Sequence, residues 1–237
     1  ISSTIIEFSP FHSEPTQVNY KYNYLDERIS LFNILPNEIS KEKISKKLFS
    51  SCHSHHKRIL KKYVKINNQF NFVRNETSLE EIWTIHKNNM ERIGGNFKSL
   101  SFFKSIEKFF KLGEDFEIYT LKKDKKIAAT LLLFIFKDTV EYFTPAINYE
   151  FRNYQPLNFL IFESMIDLVY RRKMKLWNWG GTWEEQKGLY TYKKRWGALE
   201  TKYRYFINCK IDILKGQNKD ELLKNYPNYY LIPFNKL

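Results

Sequence analysis

Cysteine is nearly absent from this chain of 237 residues. Cys52 and Cys209 stand far apart and in no motif, which excludes a disulfide framework and a zinc module built on cysteine pairs. Glycine is scarce as well, with 8 residues, so the doublets Gly94-Gly95 and Gly180-Gly181 mark backbone that must turn or let something approach closely. No apolar run reaches the roughly 18 residues of a membrane-spanning helix. The longest, Ile127 to Phe136 (IAATLLLFIF), has the length of a buried strand. Acid is also short: 26 Asp and Glu against 39 Lys and Arg leave a formal charge of +13, which points to an anionic partner. Nucleic acid, a phosphorylated cofactor, a nucleotide-linked substrate and an acidic membrane face all qualify. The first residues hold no basic n-region followed by an apolar core, so no signal peptide is read, and a chain that opens on Ile1 reads as the C-terminal part of something longer.

What is present supports a folded globule, since 43% of residues are hydrophobic and 17% aromatic. Residues 1–35 read as short extended pieces, with Thr4 to Phe8 and Glu27 to Leu35 as strands, stopped by Pro36. From Ser40 to Tyr63 apolar positions recur at helical spacing among seven lysines, which predicts one long basic amphipathic helix. Within it Cys52 and His56 would share a face beside His53 and His55. A tetrahedral metal needs further ligands and none stands at a typical spacing, so no metal is expected. Thr77 and Glu80 form a capping-box signature that opens a helix to about Met90, and Leu100 to Lys111 is a second helix ended by Gly113.

The pattern then becomes β. Phe116 to Lys122, Ile127 to Phe136 and Thr139 to Ala146 predict a three-stranded antiparallel meander. Arg152 to Pro156 reads as a loop, Leu157 to Arg171 as a helix, and Lys175 to Trp179 as a strand that runs into a tight turn at Gly180-Gly181. A basic aromatic segment follows, with Lys187, Lys193, Lys194 and Arg195 interleaved with Tyr190, Tyr192 and Trp196. Glu200 to Phe206 and Asn208 to Leu214 then predict a final hairpin.

This order of elements resembles the GNAT acyltransferase fold. Over about Leu48 to Phe206 it is similar to the branch that holds the Fem peptidoglycan aminoacyltransferases and the acetyltransferase domain of cellulose-biosynthesis-type proteins. The residues that carry the resemblance are His55 to Lys62, Lys126 to Ala129, Tyr142 to Ala146, Arg152 to Glu163, Trp179-Gly180-Gly181, and Gly188 to Gly197 (GLYTYKKRWG). The resemblance implies an α+β fold: a GNAT-like mixed, largely antiparallel sheet flanked by helices. It divides the chain into residues 1–35 as the end of a first GNAT-like half, 36–215 as the acyltransferase domain, and 216–237 as a C-terminal tail. The loop from Arg152 to Asn158, where GNAT proteins usually carry a glycine-rich pyrophosphate cradle, holds no glycine. Fem-type enzymes lack that cradle too and take an aminoacyl group from tRNA.

The function implied is transfer of an acetyl, other acyl or aminoacyl group to an amine of a cell-wall or surface-polysaccharide precursor. An RNA-binding module and a noncatalytic GNAT-like scaffold are the alternatives. Such chemistry needs a base or water relay and an oxyanion stabiliser. Glu141, Tyr142, Glu184 and Glu185 are the candidate catalytic groups, and strand alternation lets only one of Glu141 and Tyr142 face a cleft. Arg152, Asn158, Trp179, Gly180, Gly181, Lys187, Tyr190, Lys193 and Trp196 are the candidate substrate-binding residues. No permanently bound cofactor is expected; the donor is acyl-CoA or aminoacyl-tRNA. The expected partners are an anionic, lipid-linked or nucleotide-linked acceptor, with tRNA and the inner membrane surface as further anionic candidates. The expected location is the cytoplasm, including the inner face of the membrane.

Overall fold

The computed structural model describes residues 3–7, 21–182 and 186–208, with positions 218, 220, 221 and 224. These fall into two compact units: the described residues of 1–30, 181–186 and 200–237 form the first, and 31–180 with 187–199 form the second. In the first unit, strand β1 (Ser3–Glu7) pairs antiparallel with β8 (Leu199–Asn208), in a register from Ser3↔Asn208 to Glu7↔Arg204. The N-terminal part of β2 (Tyr24–Ile34) belongs here as well, and the strand order is β1-β8-β2. The hairpin expected after Glu200 has its second strand outside the described residues.

The second unit opens with two helices where the lysine-rich pattern predicts one. α1 (Lys41–Ser51) is capped by Ser40, and α2 (Ser54–Val64) by the ring nitrogen of His53. Cys52 and His53 between them are extended, because the His53 amide donates to the carbonyl of Arg195 instead of continuing the helix. Among the described residues no group of three or more metal-binding side chains gathers, here or elsewhere. The short strand β3 (Asn71–Arg74), which carries no clear sequence signal, adds itself antiparallel to β4 (Phe116–Lys123).

α3 (Leu79–Arg92) starts one residue later than its signature. Ser78 caps it and Glu81 returns the bond, because the Thr77 hydroxyl is buried and bonded to that of Thr120, 2.7 Å away. α4 (Leu100–Phe109) ends on an extended Phe110, and Gly113, at φ +84°, serves the turn into β4 and not the helix end.

β4, β5 (Lys126–Phe136) and β6 (Thr139–Ile147) form the expected antiparallel meander. β6 carries a bulge at Phe143, since Tyr142 pairs with Leu133 and Thr144 with Leu132. The predicted loop at 152–156 is largely a 3-10 turn (Tyr149–Tyr154). Pro156, which lacks the amide a first helical turn leaves unused, then begins α5 (Pro156–Arg172). β7 (Leu176–Thr182) lies parallel to β6, and α6 (Lys187–Lys194) follows. The order in this unit is β2-β7-β6-β5-β4-β3. The result is the mixed, largely antiparallel sheet flanked by helices that the resemblance implied. One face packs Leu131, Leu133, Trp177 and Trp179 against helices α1, α2 and α5, and the other packs Ile118 and Leu132 against α3 and α4. No helix among the described residues is long and apolar enough to cross a membrane.

Two histidines are buried against these faces, His56 under the rings of Tyr192 and Trp196 and His86 against Phe103. Neither ring of the pair makes a hydrogen bond to a described residue. Burial pushes both down to about 4, with the neighbouring charges of His55 and Arg195 adding to the effect at His56 and Lys98 at His86. A histidine held neutral in the fold contributes stability above its unfolded pKa near 6.5 and loses it as pH falls toward 4. Each should cost on the order of 3 kcal/mol across that window. Chemical unfolding of His86→Phe against the parent chain at pH 7 and pH 4.5 is therefore expected to show a flatter acid dependence in the variant. An unchanged dependence would show that His86 is not held neutral.

Candidate active site

The parallel pairing of β6 with β7 is short: Thr139↔Leu176, Val140↔Trp177 and Glu141↔Asn178. Both strands continue, but beyond Glu141 and Asn178 they no longer pair with each other. Ligands in α/β sheets gather at such carboxyl ends of parallel strands. Alternation places Tyr142 on the aromatic face, with its ring 6.0 Å from Trp177 and 4.9 Å from Trp179. Glu141 and Asn178 point to the other face, where the Asn178 amide nitrogen donates to Glu141 Oε2. Of the two strand candidates, Glu141 is thus the one at the notch.

The notch is built around one glycine. The sequence places Gly180 in a turn, yet β7 runs through both glycines to Thr182. Gly180 has φ +70°, which a side chain would strain, and a Cβ there would stand 3.4 Å from Glu141 Oε1. Its amide donates to Asn178 Oδ1 at 3.0 Å, and its carbonyl accepts from Lys193 Nζ at 3.4 Å. Lys193 is buried although it lies on the charged helix α6. Burial pushes Glu141 up to about 7, against the opposing pull of the Asn178 hydrogen bond and the Lys193 charge. Burial likewise brings Lys193 down to about 8, opposed by Glu141. A carboxylate that gains its proton near neutrality beside an ammonium is suited to proton transfer with charge stabilisation at hand.

The other candidates divide. Trp179 and Trp196 are buried in the core: Trp179 Nε1 donates to Asn33 Oδ1 at 2.6 Å, while Asn33 donates to the Trp196 carbonyl at 3.0 Å. Asn158 accepts from the Tyr192 hydroxyl at 3.0 Å and ties α5 to α6. Tyr190 packs half-buried on the same core, and Lys187 is exposed at the start of α6. Arg152 lies exposed, its guanidinium 4.0 Å from the Tyr149 ring centre. In the first unit, a Cβ on Gly181 would run into the Tyr203 hydroxyl. Glu184 and Glu185 lie outside the described residues. Asn178 and Asn33 were missed by sequence reasoning; the polar residue alternating with tryptophans in LWNWGG was the available signal for the first.

α6 is seated by a second special glycine. Gly197, at φ +78°, lies so close to the carbonyl of Ser51 that a Cβ has no room. Gly197→Ala is expected to cost about 1–3 kcal/mol through forced backbone strain. Thermal unfolding reads this directly, and an unchanged midpoint would contradict the seating.

No curated protein matches the chain. Among solved structures, FemX superposes with a TM-score of 0.59 at 15% identity, over 76% of this chain and 62% of its own. The C-terminal domain (DUF2156) of a putative lysylphosphatidylglycerol synthetase from Agrobacterium fabrum gives 0.51 at 13% identity, over 84% and 66% of the two chains. L-PGS from Bacillus licheniformis gives 0.50 at 12% identity, over 86% and 66%. At these identities the likeness is one of fold, and the chain spans 62% of the length of the FemX structure it matches. Residues 50–194, more than half of the chain and enough to carry the notch from Glu141 to Lys193, match the acetyltransferase (GNAT) domain family, and the chain belongs to that family.

Proposed function

We propose that this chain is an N-acyltransferase that moves an acetyl or other acyl group from acyl-CoA to an amine of a cell-wall or surface-polysaccharide precursor. The observation that carries the reading is the parting of β6 and β7 beside Glu141. Two diverging strands accept an extended, amide-bearing arm between them much as a sheet edge accepts a peptide. The arm of acyl-CoA is of that kind, and its thioester end would then lie by the notch. The amine nitrogen attacks the thioester carbonyl carbon while Glu141, ionised, accepts the proton the nitrogen sheds. The C–S bond then breaks, and the thiolate leaves and takes up a proton. The Lys193 ammonium supplies positive charge toward the oxyanion formed on the way.

Membership of the GNAT family supports acyl-CoA as the donor. The envelope acceptor, the Fem-like placement and an aminoacyl group as cargo draw support from the likeness in fold to FemX and the two lysylphosphatidylglycerol synthetase structures. An acceptor carried on a membrane lipid would bring the chain to the inner membrane face. The test incubates the protein with acetyl-CoA and amine-bearing envelope precursors, following thiol release and acceptor mass. Equal thiol and acylated amine are expected. Transfer from aminoacyl-tRNA alone would replace the donor, and transfer from neither would end the reading.

A further inference from the structure

One face of α2 is a row of uncompensated positive charge. Ser54, Lys57, Arg58, Lys61, Lys62 and Lys65, one helical turn apart in pairs, line a cavity of about 430 Å³ that contains no carboxylate. None of its five cations makes an ion pair with a described residue, whereas Lys47 pairs with Glu38 and Lys111 with Glu114. The row works against its own helix. Lys57 and Lys61, Arg58 and Lys62, and Lys61 and Lys65 are like-charge neighbours four residues apart, an arrangement that destabilises a helix. The first turn holds no acid to meet the positive end of the helix dipole. A bound anion offsets both costs.

The place of the groove narrows what the anion is. The His53 amide donates to the Arg195 carbonyl at 2.8 Å, and the His56 ring lies against Tyr192 and Trp196. The start of α2 therefore abuts the end of α6, two residues beyond Lys193. At the start of α5, by contrast, Pro156 offers no amide and Gln155 caps nothing with its side chain. The volume suits the phosphates of one nucleotide, and α2, 11 residues long, would meet no more than a few phosphates of a polynucleotide.

We propose that the α2 groove holds the phosphates at the nucleotide end of the acyl donor, a task that side-chain cations take here in place of a glycine-rich cradle. This rests on the acyl-CoA reading, and the test separates the two. Calorimetric titration of coenzyme A, inorganic pyrophosphate and phosphate-free pantetheine compares the parent chain with Lys57→Gln/Lys61→Gln/Lys62→Gln. Coenzyme A and pyrophosphate are expected to bind the triple variant roughly tenfold or more weakly, with pantetheine unaffected. The thermal midpoint should stay or rise, since repulsion is relieved. Lys104→Gln/Lys108→Gln on α4 should leave all three ligands unchanged. Equal coenzyme A affinity in the triple variant overturns the proposal, as does tighter binding of a single-stranded RNA oligomer than of coenzyme A at this groove. Pyrophosphate binding lost only in the triple variant, in a protein that acylates no amine, upholds the groove and ends the acyltransferase reading. Acyl transfer with an unchanged KM for the CoA donor in the triple variant does the reverse.

Discussion

Glu141→Gln should lower kcat for acyl transfer by about two to three orders of magnitude, the usual contribution of a positioned general base, while donor binding stays close to that of the parent. The substitution keeps the length of the side chain and an oxygen to accept from Asn178, so the notch survives and only the proton acceptor is lost. Stability moves the other way. Glu141 is raised from 4.5 to about 7 by burial, so the folded state prefers it protonated. That preference is fully present below the unfolded pKa and is lost as pH rises through 7, which makes ionised Glu141 a burden on the fold above that pH. The variant is therefore expected to be slower and, above pH 7, at least as stable. A slow variant that is also unfolded would point to structure, and a fast one would remove Glu141 from the chemistry.

The largest expected effect on stability lies elsewhere. Glu117 on β4 is completely buried, and its carboxylate accepts from Arg171 at 2.7 Å, Arg172 at 2.9 Å and Arg74 at 3.4 Å. Two of these arginines close α5 at its C-terminal end, where positive charge suits the helix dipole. Asp167 joins through Arg171 at 3.2 Å and accepts from the Tyr119 hydroxyl at 2.8 Å. Removing one partner of a buried ion pair costs about 3–5 kcal/mol, because the other is left desolvated. The guanidinium groups keep partial access to water, so Glu117→Leu is expected near about 3 kcal/mol, or roughly 6–12 °C in the unfolding midpoint of a domain of this size. The exposed pair Lys111–Glu114 makes the contrast: Lys111→Gln should leave the unfolding midpoint nearly where it is. Equal shifts in the two variants would refute the assignment of Glu117 as the anchor of α5 to the sheet.

Much of this architecture was legible because it follows periodicity. The meander from Phe116 to Ile147 and the helix after Pro156 each bury a regular set of apolar positions, and the pattern survives in the sequence. What was hidden depends on partners distant in the chain. The break between α1 and α2 is fixed by Arg195, far downstream of His53, so no local pattern announces it. Thr77 loses its capping role to Thr120, which takes its hydroxyl. Gly180 looks like a turn because glycines usually are turns, whereas here it keeps the strand going and makes room beside Glu141. The notch was half visible: Glu141, Gly180 and Lys193 stood out by residue type, but Asn178, which joins them, did not. Lys193 also reads as one more cation of a solvated face, and only the fold buries it.

The pH dependence of kcat/KM for acyl transfer tests the central claim most directly. With Glu141 required as the base and Lys193 as the cation, the parent should show an acid limb near 7 and a decline above about 8. In Glu141→Gln the limb near 7 should vanish and the residual rate should no longer depend on pH there. A Glu141→Gln variant that keeps both the limb and the rate of the parent would contradict the account.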